Sequence, residues 1–345
     1  MRPLSYTESF EIDLPPDVLW EPLSNVDRVN QLAGFPPVVY EYALDEKGQT
    51  LVFGNAKLGP IKMRWQEFTA RWTEGEYYVL NRRFENGPMR TLRSRMDLKP
   101  GAMPNTTVVT HQLDILPRGS FGYFFVKAVV LKKIAAGFQR AYGVAKEWVE
   151  EQMVPQAGLA KSRATNKHAI LLRQRLSRAA QGTRPELIKA LNRHLLNTVD
   201  DELSTLRPFR LARTWNANRD EVLKLFLNAT KDGVFDLRWE LLCPSCRRGN
   251  AHYSSLRDLP AGGHCTACNI DYRADFDRSV EVTFSPQPLG LGDDSAEYCF
   301  ASPQNTPHRL TSWVLPPNEV SEHQIQLEPG TYEVLIPGVG GGVFF

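Results

Sequence analysis

The chain lacks the features that would send it into or across a membrane. It has no run of about 18 uninterrupted apolar residues, and its first residues, MRPLSYTESFEIDL, carry acids where a signal peptide needs an apolar core. Its 41 basic and 39 acidic residues give a formal net charge of only +2, so the overall field selects neither nucleic acid nor a membrane. We therefore expect a cytoplasmic protein whose 345 residues form two or three domains.

Cysteine is scarce, and four of the five cysteines fall into two pairs with the same spacing. The pairs are Cys243 with Cys246 and Cys265 with Cys268, and 18 residues separate them. In a reducing compartment this pattern indicates a metal site rather than disulfides. Each tight turn can place two thiolates at adjacent corners of a tetrahedron. We therefore predict one structural zinc, held by all four cysteines in a zinc ribbon over 243–275.

Two further residues are weaker candidates for metal ligands. His264 adjoins a predicted ligand and could replace Cys265, but four thiolates already complete a tetrahedral site. The fifth cysteine, Cys299, has no partner at a ligand spacing, so we predict that it is a buried, small apolar side chain.

The N-terminal half alternates apolar and polar residues in the manner of half-buried strands. A first strand around Tyr6–Leu14 precedes two short helices. Turn signals such as DEKGQ and ENGP separate further predicted strands at 37–44, 50–57, 61–72, 76–84, 88–99 and 106–116. A long helix, Ser120–Met153, is predicted to follow, with one apolar side made of Phe124, Ile134, Phe138, Ala141, Ala145, Trp148 and Val149.

This order of elements, with the segment LPPDVLWEPLSNVDRVNQLAGFP, resembles the helix-grip fold of the START/SRPBCC superfamily over residues 1–152. The resemblance implies a ligand-binding domain over 1–155, in which a curved sheet grips the long helix around a cavity for a small apolar or amphipathic molecule. The expected lining residues are Trp65, Met96, Val109, His111, Phe138 and Tyr142. The superfamily includes carriers, sensors and some enzymes, so this fold does not decide the function.

His111 lies on the inward side of its strand if Val109 and Leu113 face the helix. One interpretation makes it a ligand contact or a general base near neutral pH. The other, which we favour, is a core histidine whose ring nitrogens are satisfied by neighbouring groups. Arg82 and Arg83 are expected to approach the mouth of the cavity.

The chain changes character after the long helix. Between Lys161 and Leu195 there are nine lysines and arginines but a single acid, which predicts a basic helical linker over 156–200. A helix-turn-helix followed by a strand then indicates a winged-helix-like segment over 201–242. Both features could contact nucleic acid, but the basic segment has no interleaved aromatics, and Asp220 and Glu221 begin the would-be recognition helix. Nucleic acid is therefore an unlikely partner, and packing surfaces are the better interpretation.

The segments PFRLARTWNANRDEVLKLFLNATKDGVFDLRWELLCPSCR (208–247) and HCTACNIDYRADFDRSVEVTFSP (264–286) carry a second resemblance. They resemble, within about 185–337, an uncharacterised zinc-containing region that precedes class III adenylate/guanylate cyclase domains in bacterial signalling proteins. The resemblance implies a catalytic cyclase domain as partner, in cis or in trans. The alternating residues of RSVEVTF and TYEVLI predict a β-rich module over 276–345.

We conclude from the sequence that the chain is an α+β multidomain protein with a helix-grip domain, a winged-helix-like segment, a zinc ribbon and a small all-β module. The paired aspartates that a class III cyclase needs are not recognisable, so no catalytic activity is assigned. The favoured function is ligand sensing and regulation. The alternatives are a nucleic-acid-binding regulator, which would use the helix-turn-helix and the ribbon, and a lipid or polyketide enzyme of the SRPBCC type, with His111 as base.

Overall fold

The structure is a computed structural model that describes residues 2–151, 166–179, 182–198, 200–287, 299–315, 318–320, 322–336 and 343–344. In its N-terminal half, most strands lie within about two residues of the predicted positions, and the first and last of them alternate less and more buried side chains along their whole length, as their sequences do. The strands are β1 (Leu4–Ile12), β2 (Val39–Leu44), β3 (Thr50–Leu58), β4 (Ile61–Glu67), β5 (Arg71–Thr73), β6 (Tyr77–Phe84), β7 (Met89–Pro100) and β8 (Thr107–Pro117).

These strands form one antiparallel sheet in the order β1-β8-β7-β6-β4-β3-β2. The single strand predicted at 61–72 is wrong: it is divided into β4 and β5. Both pair with β6, but the five residues from Glu67 to Arg71 face only the four from Arg82 to Val79, so a bulge separates them. The displaced β5 is left with a free edge on its other side.

Helices cover one face of this sheet. They are α1 (Pro16–Ser24), α2 (Val26–Leu32), α3 (Gly119–Phe125), a π-helical turn (Val126–Val130), α4 (Leu131–Gly143) and α5 (Ala145–Glu151). The last four follow one another in place of the predicted long helix. Ile134, Phe138 and Ala141 of α4 are buried against the sheet, as expected. This arrangement is a helix-grip fold.

The predicted apolar side of the long helix is wrong at Phe124, which is 69% exposed. A π-helical turn holds more residues per turn than an α-helix, so it shifts the phase of everything that precedes it. The buried positions therefore recur every four residues, at Gly122, Val126, Val130 and Ile134. Phe124 is consequently turned to the outer side.

A second hydrophobic core follows in the chain. Its elements are α6 (Asn166–Ala179), α7 (Pro185–Asn197), α8 (Asp200–Leu203), α9 (Pro208–Thr214), α10 (Arg219–Lys231), β9 (Phe235–Leu242), β10 (Gly249–Tyr253), β11 (Gly262–Cys265), β12 (Ile270–Arg273), α11 (Phe276–Ser279) and β13 (Val280–Pro286). Helix α10 packs against α6, α7, α9 and β9. Strands β10, β9 and β13 form a small sheet in that order, and β11 pairs with β12. The structure thus groups residues that the sequence divided among a linker, a winged-helix-like segment and a β-module.

The remaining described strands are β14 (Thr311–Ser312), β15 (Glu333–Val334) and β16 (Val343–Phe344). Strands β15 and β16 pair with each other, whereas β14 pairs with β5 and occupies its free edge. The C-terminal part of the chain therefore returns to complete the sheet of the N-terminal half. Among the described residues no helix is long and apolar enough to cross a bilayer.

Candidate functional site

The four predicted metal ligands come together in the structure. Their sulfur atoms all lie within 4.8 Å of one another, and Cys246 and Cys265 are separated by 3.7 Å. The two turns are built alike, because Arg247 (φ 58°) and Asn269 (φ 49°), each directly after the second cysteine of its pair, adopt the left-handed backbone conformation. This conformation turns the chain back so that both sulfurs of a pair face inward.

The cluster fits a tetrahedral metal ion. A Zn–S distance of about 2.3 Å places neighbouring sulfurs about 3.8 Å apart, which agrees with the 3.7 Å separation, whereas a disulfide requires about 2.05 Å. A hydrogen bond from Cys246 lowers the pKa of the Cys243 thiol to about 7, while hydrogen bonds with the other three thiols raise the pKa of Cys268. Four thiols this close need a cation in order to ionise together, so the site is suited to a metal ion.

His264 does not compete for this site. Its Nδ1 atom lies 2.9 Å from a carboxylate oxygen of Asp271, which faces it across the β11–β12 pair. The group of ligand atoms in the described part of the chain consists of the four cysteines alone. The strands around them, β11 and β12, bury few side chains, so little apolar packing holds the two turns in place.

The cysteine turns contact the helix-grip domain directly. Asn269 donates a hydrogen bond to the carbonyl of Gly48 at 2.7 Å, and Thr50 donates one to the carbonyl of Thr266 at 3.2 Å. Both contacts are made at the β2–β3 hairpin. Arg248, two residues after Cys246, donates to the Tyr42 hydroxyl at 2.7 Å. Both cysteine turns are therefore tied to the same edge of the N-terminal sheet.

Residues 299–312, called the closing segment below, lie between the two parts. Ser302 is buried and bridges the break between α1 and α2: its hydroxyl donates to the Ser24 carbonyl and accepts from the Val26 amide, both at 3.0 Å. The Phe300 amide donates to the Tyr40 hydroxyl at 3.0 Å. At the far end of the segment, Arg309 donates to the carbonyl of Ser245, between the first two cysteines, at 2.7 Å.

A buried polar cluster lies beneath the closing segment. Glu67 is 5% exposed and receives a bifurcated hydrogen bond from Arg82 Nε, 3.0 Å to each carboxylate oxygen, and one of 2.9 Å from the Trp65 indole. Cys299 is 1% exposed, and its sulfur lies 3.8 Å from Arg82. Burial raises the pKa of the Cys299 thiol, which fits the inert, buried side chain that the sequence predicts. Arg82 was expected near the cavity mouth, but its partner Glu67 was not foreseen from the sequence.

The six predicted lining residues are all at most 4% exposed and belong to one core between the sheet and α4. His111 stacks on Phe138, with ring centroids 3.9 Å apart. Its Nε2 lies 2.8 Å from the Ser94 hydroxyl and its Nδ1 lies 2.5 Å from the Tyr142 hydroxyl. Burial lowers the pKa of His111 to about 3, so the ring is neutral at physiological pH. Binding of a ligand by these residues stays a prediction.

The helix-turn-helix packs as part of the second core. Val222, Leu225 and Phe226 on α10 are fully buried, and Asn218 caps this helix by accepting from the amides of Asp220 and Glu221 at 2.9 and 3.2 Å. The two acids therefore occupy its exposed first turn. In the basic segment, Arg175 donates to the Gly233 carbonyl and to Gln287, while Arg173 and Arg178 are exposed. Of these three arginines, Arg175 therefore contacts other parts of the protein, as a packing surface requires.

A cleft of about 1530 Å³ opens beside the closing segment. Its walls come from α1 and α2, from α9, from the first cysteine turn and from the closing segment. Glu240 is one of its lining residues and is buried, 3.3 Å from Arg207 and 2.9 Å from the Thr283 hydroxyl. Because elements from both halves of the chain and the closing segment line this cleft, its shape depends on how they are held together.

Part of the chain matches a family model. Residues 171–289 match the model of a family of unknown function, DUF5939, and no curated protein matches the chain. Solved structures similar to it include an aromatase/cyclase from Streptomyces sp. R1128, at 15% identity and a TM-score of 0.33, covering 46% of this chain and 99% of that one.

Two other similar structures are proteins from Thermus thermophilus and Geobacillus kaustophilus. The first has 14% identity and a TM-score of 0.32, with 43% of this chain and 99% of that chain covered. The second has 15% identity and a TM-score of 0.32, with 42% and 97% covered. Likeness at these values carries no information on function.

Proposed function

We propose that the chain is a non-catalytic sensory and regulatory protein that binds a small apolar or amphipathic molecule in its helix-grip domain and carries one structural zinc ion. The observation that carries the proposal is the set of hydrogen bonds from both cysteine turns to the β2–β3 hairpin and Tyr42. A change in the curvature of the sheet moves this edge, and these bonds pass the movement to the metal centre.

Zinc is the metal that the donor set favours. Four thiolates without an open position make a closed, structural site, and soft sulfur ligands with tetrahedral spacing select zinc over hard cations such as magnesium or calcium. Cys243, Cys246, Cys265 and Cys268 hold the ion. Because β11 and β12 bury few side chains, the ion supplies the stability that a hydrophobic core supplies elsewhere.

The interior of the helix-grip domain supports the binding of a ligand with both apolar and polar parts. Met96 and Val109 are apolar and fully buried, while His111, Ser94 and Tyr142 place hydrogen-bonding groups among them. Burying polar groups costs free energy that an all-apolar core avoids. A ligand with a polar end would form hydrogen bonds with these three side chains, and these would replace the hydrogen bonds that now join the side chains to one another.

The output is proposed to be a catalytic cyclase domain, in cis or in trans, in the cytoplasm. Support comes from the sequence of the two segments around the cysteines. The alternative interpretation, an enzyme, requires His111 as a base. Against it stand a pKa near 3 and ring nitrogens that are both occupied by neighbours, since an efficient general base has a pKa near the working pH.

Binding of cis-parinaric acid, a fluorescent fatty acid, tests the proposal. We expect saturable binding at one site per chain and slower hydrogen exchange at 243–248, 265–269 and 299–312 in the complex. Val109→Phe should abolish binding by filling the interior, and Val39→Phe, at a position that is 68% exposed, is the matched control.

Three results would contradict the proposal: no saturable binding, binding that survives Val109→Phe, or binding that leaves exchange at the cysteine turns unchanged. Metal analysis of the same sample should give about one zinc per chain. A folded protein without metal would refute the zinc assignment separately from the ligand.

A further inference from the structure

The outer surface of the helix that follows β8 carries a group of exposed apolar side chains beside lysines. Phe121 and Phe124 are 72% and 69% exposed, and Val129 is 44% exposed. Lys127, Lys132 and Lys133 are exposed on the same stretch. We call these six residues the aromatic–lysine face.

The π-helical turn creates this face. It shifts the phase of α3 relative to α4, so that Gly122 is turned inward, where its Cα fits against the backbone of Pro88, and Phe121 and Phe124 are turned outward. A regular helix would bring the aromatic residues nearer to the sheet. The turn therefore leaves exposed two large apolar side chains whose burial would stabilise the fold. π-helical turns inside α-helices are frequent at functional sites.

The charged side chains of the face have one sign. Lys127, Lys132 and Lys133 are its three charges, and the sequence from Ile115 to Lys146 contains no acid, although the whole chain has a net charge of only +2. The neighbouring β6–β7 turn contributes Glu85, but Arg64 pairs with its carboxylate at 2.8 Å. The face therefore carries a positive charge that the near-neutral total conceals.

We propose that the aromatic–lysine face docks the protein on the surface of an anionic lipid bilayer. Phenylalanine side chains on an exposed helical surface enter the boundary between headgroups and acyl chains, and lysines beside them pair with acidic headgroups. A protein partner fits less well, because protein interfaces are depleted in lysine and favour arginine as their cation. This role goes beyond the proposed sensing function and does not depend on it.

Flotation with vesicles tests this proposal. We expect the full chain to bind vesicles of phosphatidylcholine with phosphatidylglycerol, to bind vesicles of phosphatidylcholine alone at least about tenfold more weakly, and to be released by salt. Two variants should each weaken binding about tenfold or more. One is the double variant Phe121→Ala with Phe124→Ala, and the other changes Lys127, Lys132 and Lys133 together to Gln. All five positions are exposed, so folding should be retained, and circular dichroism verifies it.

Matched controls use comparable side chains elsewhere. Met103→Ala removes an apolar side chain that is 66% exposed in the β7–β8 turn, at the other end of β8. Lys57→Gln with Lys62→Gln removes two charges from the β3–β4 pair. Neither control should change vesicle binding.

Absence of binding to acidic vesicles, equal binding to both vesicle types, or equal loss in the controls would overturn the proposal. Sedimentation gives a further decisive result. A dimer that dissociates when Phe121 and Phe124 are replaced would also overturn it, by assigning the face to contact between two copies of the chain.

Discussion

The two hydrophobic cores of this protein are filled in different ways. The second core contains Phe226 stacked on Phe235, with ring centroids 4.7 Å apart, and Phe284 5.1 Å from Phe226. The helix-grip core instead encloses Ser94, His111 and Tyr142, joined by hydrogen bonds. The three rings of the second core form a close-packed apolar cluster, and that core also buries His194 beside Thr198. The helix-grip core places its hydrogen-bonding groups directly against aromatic rings, where apolar side chains would be more stable.

The four-cysteine cluster belongs to neither of these cores. Its strands bury few side chains, yet its turns make hydrogen bonds to the N-terminal sheet and to the closing segment. The proposed metal ion would therefore hold this region together in the way that apolar packing and a polar network hold the two cores. Each of the three can be removed separately, which makes the difference testable.

Loss of the metal should have the largest effect. Cys246→Ser removes one of four thiolates, and apparent metal binding in such sites is worth about 10–16 kcal/mol. We expect loss of zinc and rapid hydrogen exchange throughout 243–273, while both cores retain slow exchange. Cys299→Ala is the control, because this buried cysteine is not a ligand and should leave the zinc content unchanged. Retention of zinc by Cys246→Ser would contradict the four-thiolate site.

The second core should be the next most sensitive. Phe226→Ala leaves a cavity among the three rings, and changes of this kind cost about 3–5 kcal/mol. Denaturant unfolding monitored by hydrogen exchange should show the loss in α6, α10 and β9. The control Phe276→Ala removes an aromatic side chain that is 59% exposed and should cost less than about 1 kcal/mol. An equal loss of protection in β7 and β8 would show that the two cores unfold as one unit.

Much of this organisation is predictable from sequence, because local patterns carry it. Alternation located the strands, and the repeated cysteine spacing located the four cysteines that come together. The cap of α10 also rests on a local pattern, since the Asn218 side chain needs only the next two or three amides.

The remaining features depend on contacts that no local pattern encodes. Strand β14 has two residues and pairs with β5 almost 240 positions away, and Glu67 finds Arg82 only after two turns of the sheet. The π-helical turn escaped prediction because the apolar pattern around Phe124 fits a regular helix equally well. Contacts such as the β14–β5 pairing join segments that are distant in the sequence, so they form only when those segments pack together in the folded chain.

Acidification should separate the two cores by their histidines. Burial lowers the pKa of His111 to about 3 and that of His194, in the second core, to about 4, compared with about 6.5 in an unfolded chain. Below pH 6.5 the unfolded state takes up protons that the native state excludes, so stability is complete above this pH and falls as the pH decreases toward the native pKa values. Each histidine should contribute a slope of about 1.4 kcal/mol per pH unit.

Urea unfolding at pH 7 and pH 5 measures this slope. His111→Leu should reduce the slope by the contribution of one histidine, about 1.4 kcal/mol per pH unit. His194→Leu should reduce it by the same amount through the second core. His308 of the closing segment, whose pKa burial also lowers to about 4, should supply the slope that remains. An unchanged slope in both leucine variants would show that other groups take up the protons.

The closing segment should give the smallest effect. Ser302→Ala removes the hydroxyl that joins the Ser24 carbonyl to the Val26 amide and leaves both buried groups without it, at a cost of about 1–3 kcal/mol. We expect faster hydrogen exchange at α1, α2 and β5 and an unchanged second core. Ser177→Ala, on an exposed helical position, is the control. Unaltered exchange around β5 would show that the segment does not help to hold the sheet closed.

The pairing of β14 with β5 also sets the order in which a ribosome can finish this protein. Strand β14 begins 160 residues after α5 ends, and at about 5–20 residues per second its synthesis takes roughly 10 to 30 s longer. During that interval the nascent N-terminal sheet presents the bare edge of β5, with backbone groups ready to pair with any passing strand. The N-terminal domain is thus synthesised first but completed last. Until β14 has been synthesised, its unpaired β5 edge is a place where chaperones would protect the nascent chain.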